Sequence, residues 1–153
     1  MRYAQINEMD TVNGQGVCCS IFFQGCTHHC KGCFNESTWD FNGGRYFTKE
    51  IQDKFIEACK KPYISGISLL GGEPLQQPHN EIKSFLKRLK TLNKTIYLWS
   101  GSTLDEIKNS PYADCLEYVD VLIDGEFKED LQDFTLQLRG SSNQKIWYLN
   151  KNN

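Results

Sequence analysis

Hydrophobic residues fall along this chain in short runs of two different periods, and the two periods alternate. Arg2-Tyr3-Ala4-Gln5-Ile6 alternates loosely as a first strand, Asn13-Gly14-Gln15-Gly16 reads as a flexible turn, and Val17 to Phe23 reads as a buried strand. Thr48 suits an N-cap, and after it Ile51, Phe55, Ala58 and Cys59 share one face of a helix expected to end before Pro62. Ile64 to Leu70 is an apolar strand running into Gly71-Gly72-Glu73-Pro74. Pro78 then opens a second helix, with Ile82, Phe85, Leu86, Leu89 and Leu92 at helical spacing. Thr95 to Trp99 is the next strand, closed by Ser100-Gly101, and Thr103 with Glu106 has the spacing of a capping box for a short helix. Val119 to Ile123 makes a further strand ending in Asp124-Gly125, Cys115 lies in the linker before it, and Lys145 to Leu149 is the last strand. Strands alternating with helices predict an α/β fold with a mostly parallel sheet. Its carboxyl edge gathers the polar and Gly-rich motifs, so the site is expected there.

Between Gln24 and Gly44 neither period holds, and a loop of that length inside a short domain is usually a functional one. The 153 residues amount to one domain, 1–153, too short for a complete (β/α)8 barrel plus any appendage. Hydrophobic residues make up 39% and charged residues 24%, enough to build an ordinary core. Lys and Arg number 17 against 19 acidic residues, and a net charge of -2 offers no positive field for phosphate backbones or anionic lipid. Neither direct nucleic acid nor a membrane is therefore expected as a partner. No apolar run approaches the ~18 residues of a membrane span, and Met1 to Glu8 lacks the apolar core of a signal peptide, which points to the cytoplasm.

Seven cysteines alter the picture, because in a reducing compartment that many thiols indicates metal ligation or redox chemistry. Cys18 and Cys19 read as small apolar fillers of a strand, and Cys59 as core. Cys26, Cys30 and Cys33 stand apart as C-x3-C-x2-C within one loop. Three soft thiolates at that spacing can hold three irons of a [4Fe-4S] cluster and leave the fourth open, or they can form a Cys3His zinc site with His28 or His29. Structural zinc sites normally draw ligands as two pairs from separate stretches, and no second pair exists here. Gly71-Gly72-Glu73-Pro74 is by itself a commonplace turn, but two glycines at a strand end also let a ligand's polar head approach backbone.

With that loop after an early strand and Gly-Gly-Glu after the next long one, the chain resembles the radical S-adenosylmethionine superfamily. The resemblance implies a shortened, open TIM-like barrel, a [4Fe-4S] cluster on Cys26, Cys30 and Cys33, and S-adenosylmethionine chelating the open iron. It further implies that the end of the Gly71, Gly72 and Glu73 strand meets the methionyl amine. The position before the last cysteine, usually aromatic in that family, is Gly32; Phe34, just after Cys33, is expected to pack near the adenine instead. Ser100 and Asp124, at strand ends, complete the expected cofactor-binding set, Asp124 being equally suited to forming a turn. His28 and His29 are expected beside the metal rather than on it, since a fourth protein ligand would close the reactive iron. No catalytic side chain is expected, because the cofactor performs the difficult step.

Trp99-Ser100-Gly101, Val121-Leu122-Ile123-Asp124-Gly125 and, above all, Leu138-Arg139-Gly140-Ser141-Ser142-Asn143-Gln144 narrow the resemblance to the activases of anaerobic ribonucleotide reductases. That implies an oxidoreductase which generates a glycyl radical on the large subunit of the reductase, fed by a low-potential electron donor such as flavodoxin. An activase for another glycyl-radical enzyme and a non-enzymatic zinc adaptor are the alternatives. The run Arg139 to Gln144 suits either a structural turn or the lining of a partner channel, and Lys83, Lys87, Arg88 and Lys90 read as a solvated helix face.

Overall fold

The computed structural model describes residues 1–150. β1 (Arg2–Asp10), β2 (Cys18–Phe23), β3 (Arg45–Tyr46), β4 (Gly66–Gly71), β5 (Thr95–Trp99), β6 (Val121–Asp124) and β7 (Lys145–Tyr148) form one mixed sheet in the order β3-β1-β2-β4-β5-β6-β7. The centre of the sheet, β2-β4-β5-β6, is parallel, while β1, β3 and β7 are antiparallel to their neighbours. With β3 and β7 at its two ends, the sheet is open.

Three α-helices connect the parallel strands as the periodicity predicts: α1 (Lys49–Cys59) between β2 and β4, after the short β3, α2 (His79–Lys90) between β4 and β5, and α3 (Leu104–Lys108) between β5 and β6. Thr48 caps α1 by accepting from the Ile51 N–H, and the Thr103/Glu106 capping box of α3 is present in both directions. Alternation along the strands sorts their side chains onto two faces. Cys19, Ile21, Phe23, Ile67, Leu69, Ile96, Leu98 and Leu122 meet Phe55, Ile82, Phe85, Leu86, Leu89 and Ile107 of the helices in the main core. The opposite face carries a smaller cluster of Cys18, Tyr97, Val121 and Ile123. It also carries two buried serines, Ser20 and Ser68, which the Asp10–Gln15 loop satisfies: Ser20 donates to the Asp10 carboxylate and Ser68 to the Asn13 carbonyl. The helices thus cover one face, and the other is left to loops and to a cavity.

Several boundaries differ from the periodicity. β1 continues past Ile6 to Asp10 because its polar residues still pair with β2, as far as Asp10 opposite Cys18. β4 starts at Gly66 instead of Ile64, and β6 spans Val121–Asp124 instead of starting at Val119. Cys115 sits fully buried in a 3-10 turn, Ala113–Tyr118, and the long loop holds another at Glu36–Thr38. Among the described residues no helix is long and apolar enough to cross a membrane.

Candidate functional site at the carboxyl edge

All four parallel strands deliver their carboxyl ends to one cavity of about 670 Å³. The loop after β2 supplies Cys26, His28, Cys30, Cys33, Phe34 and Trp39. Gly71 and Gly72 come from β4, Trp99, Ser100 and Gly101 from β5, and Gly125 from β6. The cysteine loop is stitched back on itself: the Gly25 N–H donates to the Thr38 carbonyl (2.6 Å), Cys26 N–H to Trp39 (3.1 Å), and the Gln24 amide to the Ser37 and Asp40 carbonyls. In this way 21 residues without a long regular element hold a shape.

Three of the seven cysteines therefore line one cavity, with sulfur atoms that do not all lie within 4.8 Å of one another. Burial pushes the Cys26 thiol up to about 11 and raises that of Cys30, so a soft metal ion would have to displace protons there on binding. Cys18, Cys19, Cys59 and Cys115 are all fully buried away from the cavity. Cys19 and Cys59 face each other between β2 and α1, which raises the Cys59 thiol pKa. Among the described residues, the donors that do lie within 4.8 Å of one another are His79, Asp114 and Cys115, away from the cavity. There Asp114 already accepts from His79 (2.8 Å) and Lys83 (2.9 Å), and burial drives the Cys115 thiol up to about 12, so the cluster is satisfied as a salt-bridge network.

Of the positions named as cofactor-binding from the sequence, Cys33, Phe34, Gly71, Gly72 and Ser100 line the cavity, whereas Gly32, Glu73 and Asp124 are not part of the lining. Gly32, at φ +74, makes the turn between Cys30 and Cys33, and a Cβ there would meet the Glu129 side chain at 2.9 Å. Asp124 accepts from the Leu104 N–H at the start of α3 (2.7 Å) and from the Lys145 N–H (3.3 Å), so its role is to tie the helix and β7 to the end of β6. Glu73 is 1% exposed and turned behind the wall. Its Oε1 meets His28 Nε2 (2.8 Å), Ser100 Oγ (3.0 Å) and the Gly101 N–H (2.7 Å), and its Oε2 accepts from the Leu75 N–H (3.0 Å).

Gly72 has a reason the sequence did not reveal: a Cβ would stand 2.5 Å from the Gly25 carbonyl oxygen and 2.9 Å from that of Thr38. The glycine lets β4 pass against the cysteine loop as well as exposing backbone to the cavity. His28 was expected only beside a metal; in fact its Nδ1 also lies 3.2 Å from Glu126, and the bond to Glu73 raises its pKa although burial opposes the shift. His29 stacks on Trp39 with ring centroids 4.3 Å apart. The run Arg139 to Gln144 forms the structural turn. The Gln144 side chain accepts from the Gly140 and Ser141 N–H groups and donates to the Gly125 carbonyl, while Arg139, Gly140 and Gln144 also line the cavity.

Sequence reasoning missed Leu136 and Gln137, which continue the cavity wall from Leu138, whose carbonyl accepts from the Trp99 indole N–H (2.7 Å). That stretch has no period to announce it. Trp39 Nε1 and Arg139 Nε are buried without a hydrogen-bond partner, and both residues line the cavity. Three soft sulfur donors on the lining of one cavity are the chemistry that a thiophilic metal group such as an iron–sulfur cluster requires.

Such a site, three clustered cysteines at the carboxyl edge of an open α/β sheet, is that of an iron–sulfur protein, and residues 12–147 match a family model described as "4Fe-4S single cluster domain". The Anaerobic ribonucleoside-triphosphate reductase-activating protein of Salmonella typhimurium is 43% identical over 155 residues, covering 97% of this chain and 99% of its own length. Proteins of the same name from Escherichia coli (strain K12) and Enterobacteria phage T4 are 41% and 39% identical, over 97% and 96% of this chain and 99% and 94% of theirs. The chain belongs to the family of anaerobic ribonucleoside-triphosphate reductase-activating proteins, with a 4Fe-4S domain.

Proposed function

We propose that this chain activates an anaerobic ribonucleotide reductase by reductive cleavage of S-adenosylmethionine, as a radical S-adenosylmethionine oxidoreductase of the glycyl-radical-activase type. The carrying observation is the meeting of Cys26, Cys30 and Cys33 with the ends of β4, β5 and β6 around one cavity. When bound, the cluster would supply one low-potential electron, received from a donor such as flavodoxin, for reductive opening of the C5′–S bond of S-adenosylmethionine to methionine and a 5′-deoxyadenosyl radical. The product of that chemistry would be a glycyl radical on the reductase's large subunit, by transfer of a hydrogen atom from a glycine Cα.

The chain's own residues bind, orient and exclude water. Cys26, Cys30 and Cys33 would hold three irons. The backbone at Gly71 and Gly72 would receive the amino-acid end of S-adenosylmethionine, with Ser100 beside it, and Phe34, half of a ring pair with Phe127 (5.0 Å), would offer the adenine an apolar surface. Glu73 serves from behind the wall, and no side chain needs to act as acid or base. In this reading the open sheet is a partial TIM-like barrel within a single domain, and the protein works in the reducing cytoplasm. A Cys3His zinc adaptor is disfavoured, because His28 directs both ring nitrogens at carboxylates and His29 is stacked on Trp39.

The test is to mix the reduced, iron-loaded protein with S-adenosylmethionine and reductase under anaerobic conditions and to record electron paramagnetic resonance. A glycyl radical that requires all three components is expected. A colourless zinc protein, or a radical independent of S-adenosylmethionine, would overturn the reading.

A further inference from the structure

The cysteine loop contains no long regular element, yet any group its thiols held would have to be kept in place against the carboxyl ends of β4 and β5. Two neighbouring residues between Cys26 and Cys30 tie it there. Thr27 exchanges hydrogen bonds with the Gln76 amide at an exposed position (2.8 and 2.7 Å), where water competes. His28 instead reaches inward to the buried Glu73 carboxylate (2.8 Å), which also holds Ser100 Oγ and the Gly101 N–H of β5's end, and its other nitrogen reaches Glu126 beyond β6. One imidazole therefore spans the ends of β2, β4, β5 and β6. Gly101, unexplained by its sequence, makes room for it: a Cβ there would stand 2.6 Å from the ring's Cδ2.

We infer that His28 is a positioning residue: through Glu73 it sets the cysteine loop, and hence the open iron, against the amino-acid end of the S-adenosylmethionine pocket. It is not a metal ligand. The inference rests on the functional reading above. A buried carboxylate that receives an imidazole N–H in a charge-assisted bond holds it in one orientation, and removing such a partner leaves the ligands in place but lets their loop drift. Cluster content and cofactor affinity should then separate, which they would not if His28 merely supported the fold or bound iron.

The experiment compares wild type with His28→Ala, His28→Asn and His28→Gln in the iron-loaded, reduced protein. Iron and sulfide per chain are measured first, and then the change in the cluster's paramagnetic signal as S-adenosylmethionine is titrated. Gln carries an amide nitrogen to roughly where Nε2 sits and can still reach Glu73; Asn is too short. All three variants should keep wild-type iron content. Ala and Asn should weaken S-adenosylmethionine binding by about tenfold or more, while Gln stays within about threefold of wild type. Wild-type affinity in Ala, equal behaviour of Asn and Gln, or loss of iron in all three would overturn the positioning role. A wild-type cluster whose signal ignores S-adenosylmethionine would instead overturn the functional reading on which the inference rests.

Discussion

Glu73→Gln changes one atom in the part of the site that is best satisfied. The carboxylate receives four donors and is 1% exposed, so water cannot replace a lost acceptor. An amide offers one oxygen. Its better orientation keeps that oxygen toward His28, Ser100 and Gly101 and turns the NH2 against the Leu75 N–H, leaving two donors facing each other. A buried donor left unpaired costs ~1–3 kcal/mol, and each bond that loses its charged acceptor weakens by ~1 kcal/mol. Burying a neutral amide is cheaper than burying a carboxylate, which offsets part of this and leaves a net loss of about 2 to 4 kcal/mol. For a chain of this size that lowers Tm by roughly 5–15 °C. Urea unfolding under anaerobic conditions, followed by circular dichroism with and without iron loaded, measures it. Glu126→Gln, at the exposed end of the same imidazole, serves as the control and should cost less than about 0.5 kcal/mol. A Glu73→Gln protein within about 0.5 kcal/mol of wild type would refute the claim that this carboxylate braces the strand ends.

Ser in place of Cys26, Cys30 or Cys33 should each abolish or cripple iron binding. Ser at Cys18, Cys19, Cys59 or Cys115, none of which lines the cavity, should leave iron per chain near wild type, and a requirement for any of these four would break the three-ligand assignment. Gly72→Ala should lower Tm as well as iron uptake, because its Cβ would press on the Gly25 and Thr38 carbonyls; a variant of normal stability would show that the loop yields easily there. Asp10→Asn should destabilise the chain by about 1–3 kcal/mol at neutral pH. Burial alone would raise the Asp10 pKa, but bonds from Ser20, Asn13 and the Val12 N–H outweigh it and hold the pKa below its ordinary 3.8. Its contribution is therefore present above pH 3.8 and lost as pH falls through the folded-state pKa, so the gap in Tm between wild type and Asp10→Asn should narrow in acid. A gap independent of pH would assign the loss to shape instead of charge.

The sequence alone determined what depends on near neighbours. Helical spacing marked α1 and α2, Thr48 and Thr103 marked two helix starts, and strands alternating with helices implied the parallel centre of the sheet. The three cysteines could be picked out of seven because their spacing in one loop already limits how far apart they can lie. Tertiary structure decided what depends on distant neighbours. The antiparallel pairing of β7, the continuation of β1 to Asp10 and the cavity wall at Leu136–Gly140 have no local period, since each exists only through partners far along the chain. The same holds for the roles of acidic residues at strand ends. Nothing local distinguishes Asp124, which ties α3 and β7 to β6, or Glu73, whose donors come from His28 on one side and Ser100 and Gly101 on the other, from a carboxylate that faces the cavity. Which way such a side chain turns is settled by where its unpaired donors lie once the strands are side by side, because a buried carboxylate goes where it can be satisfied.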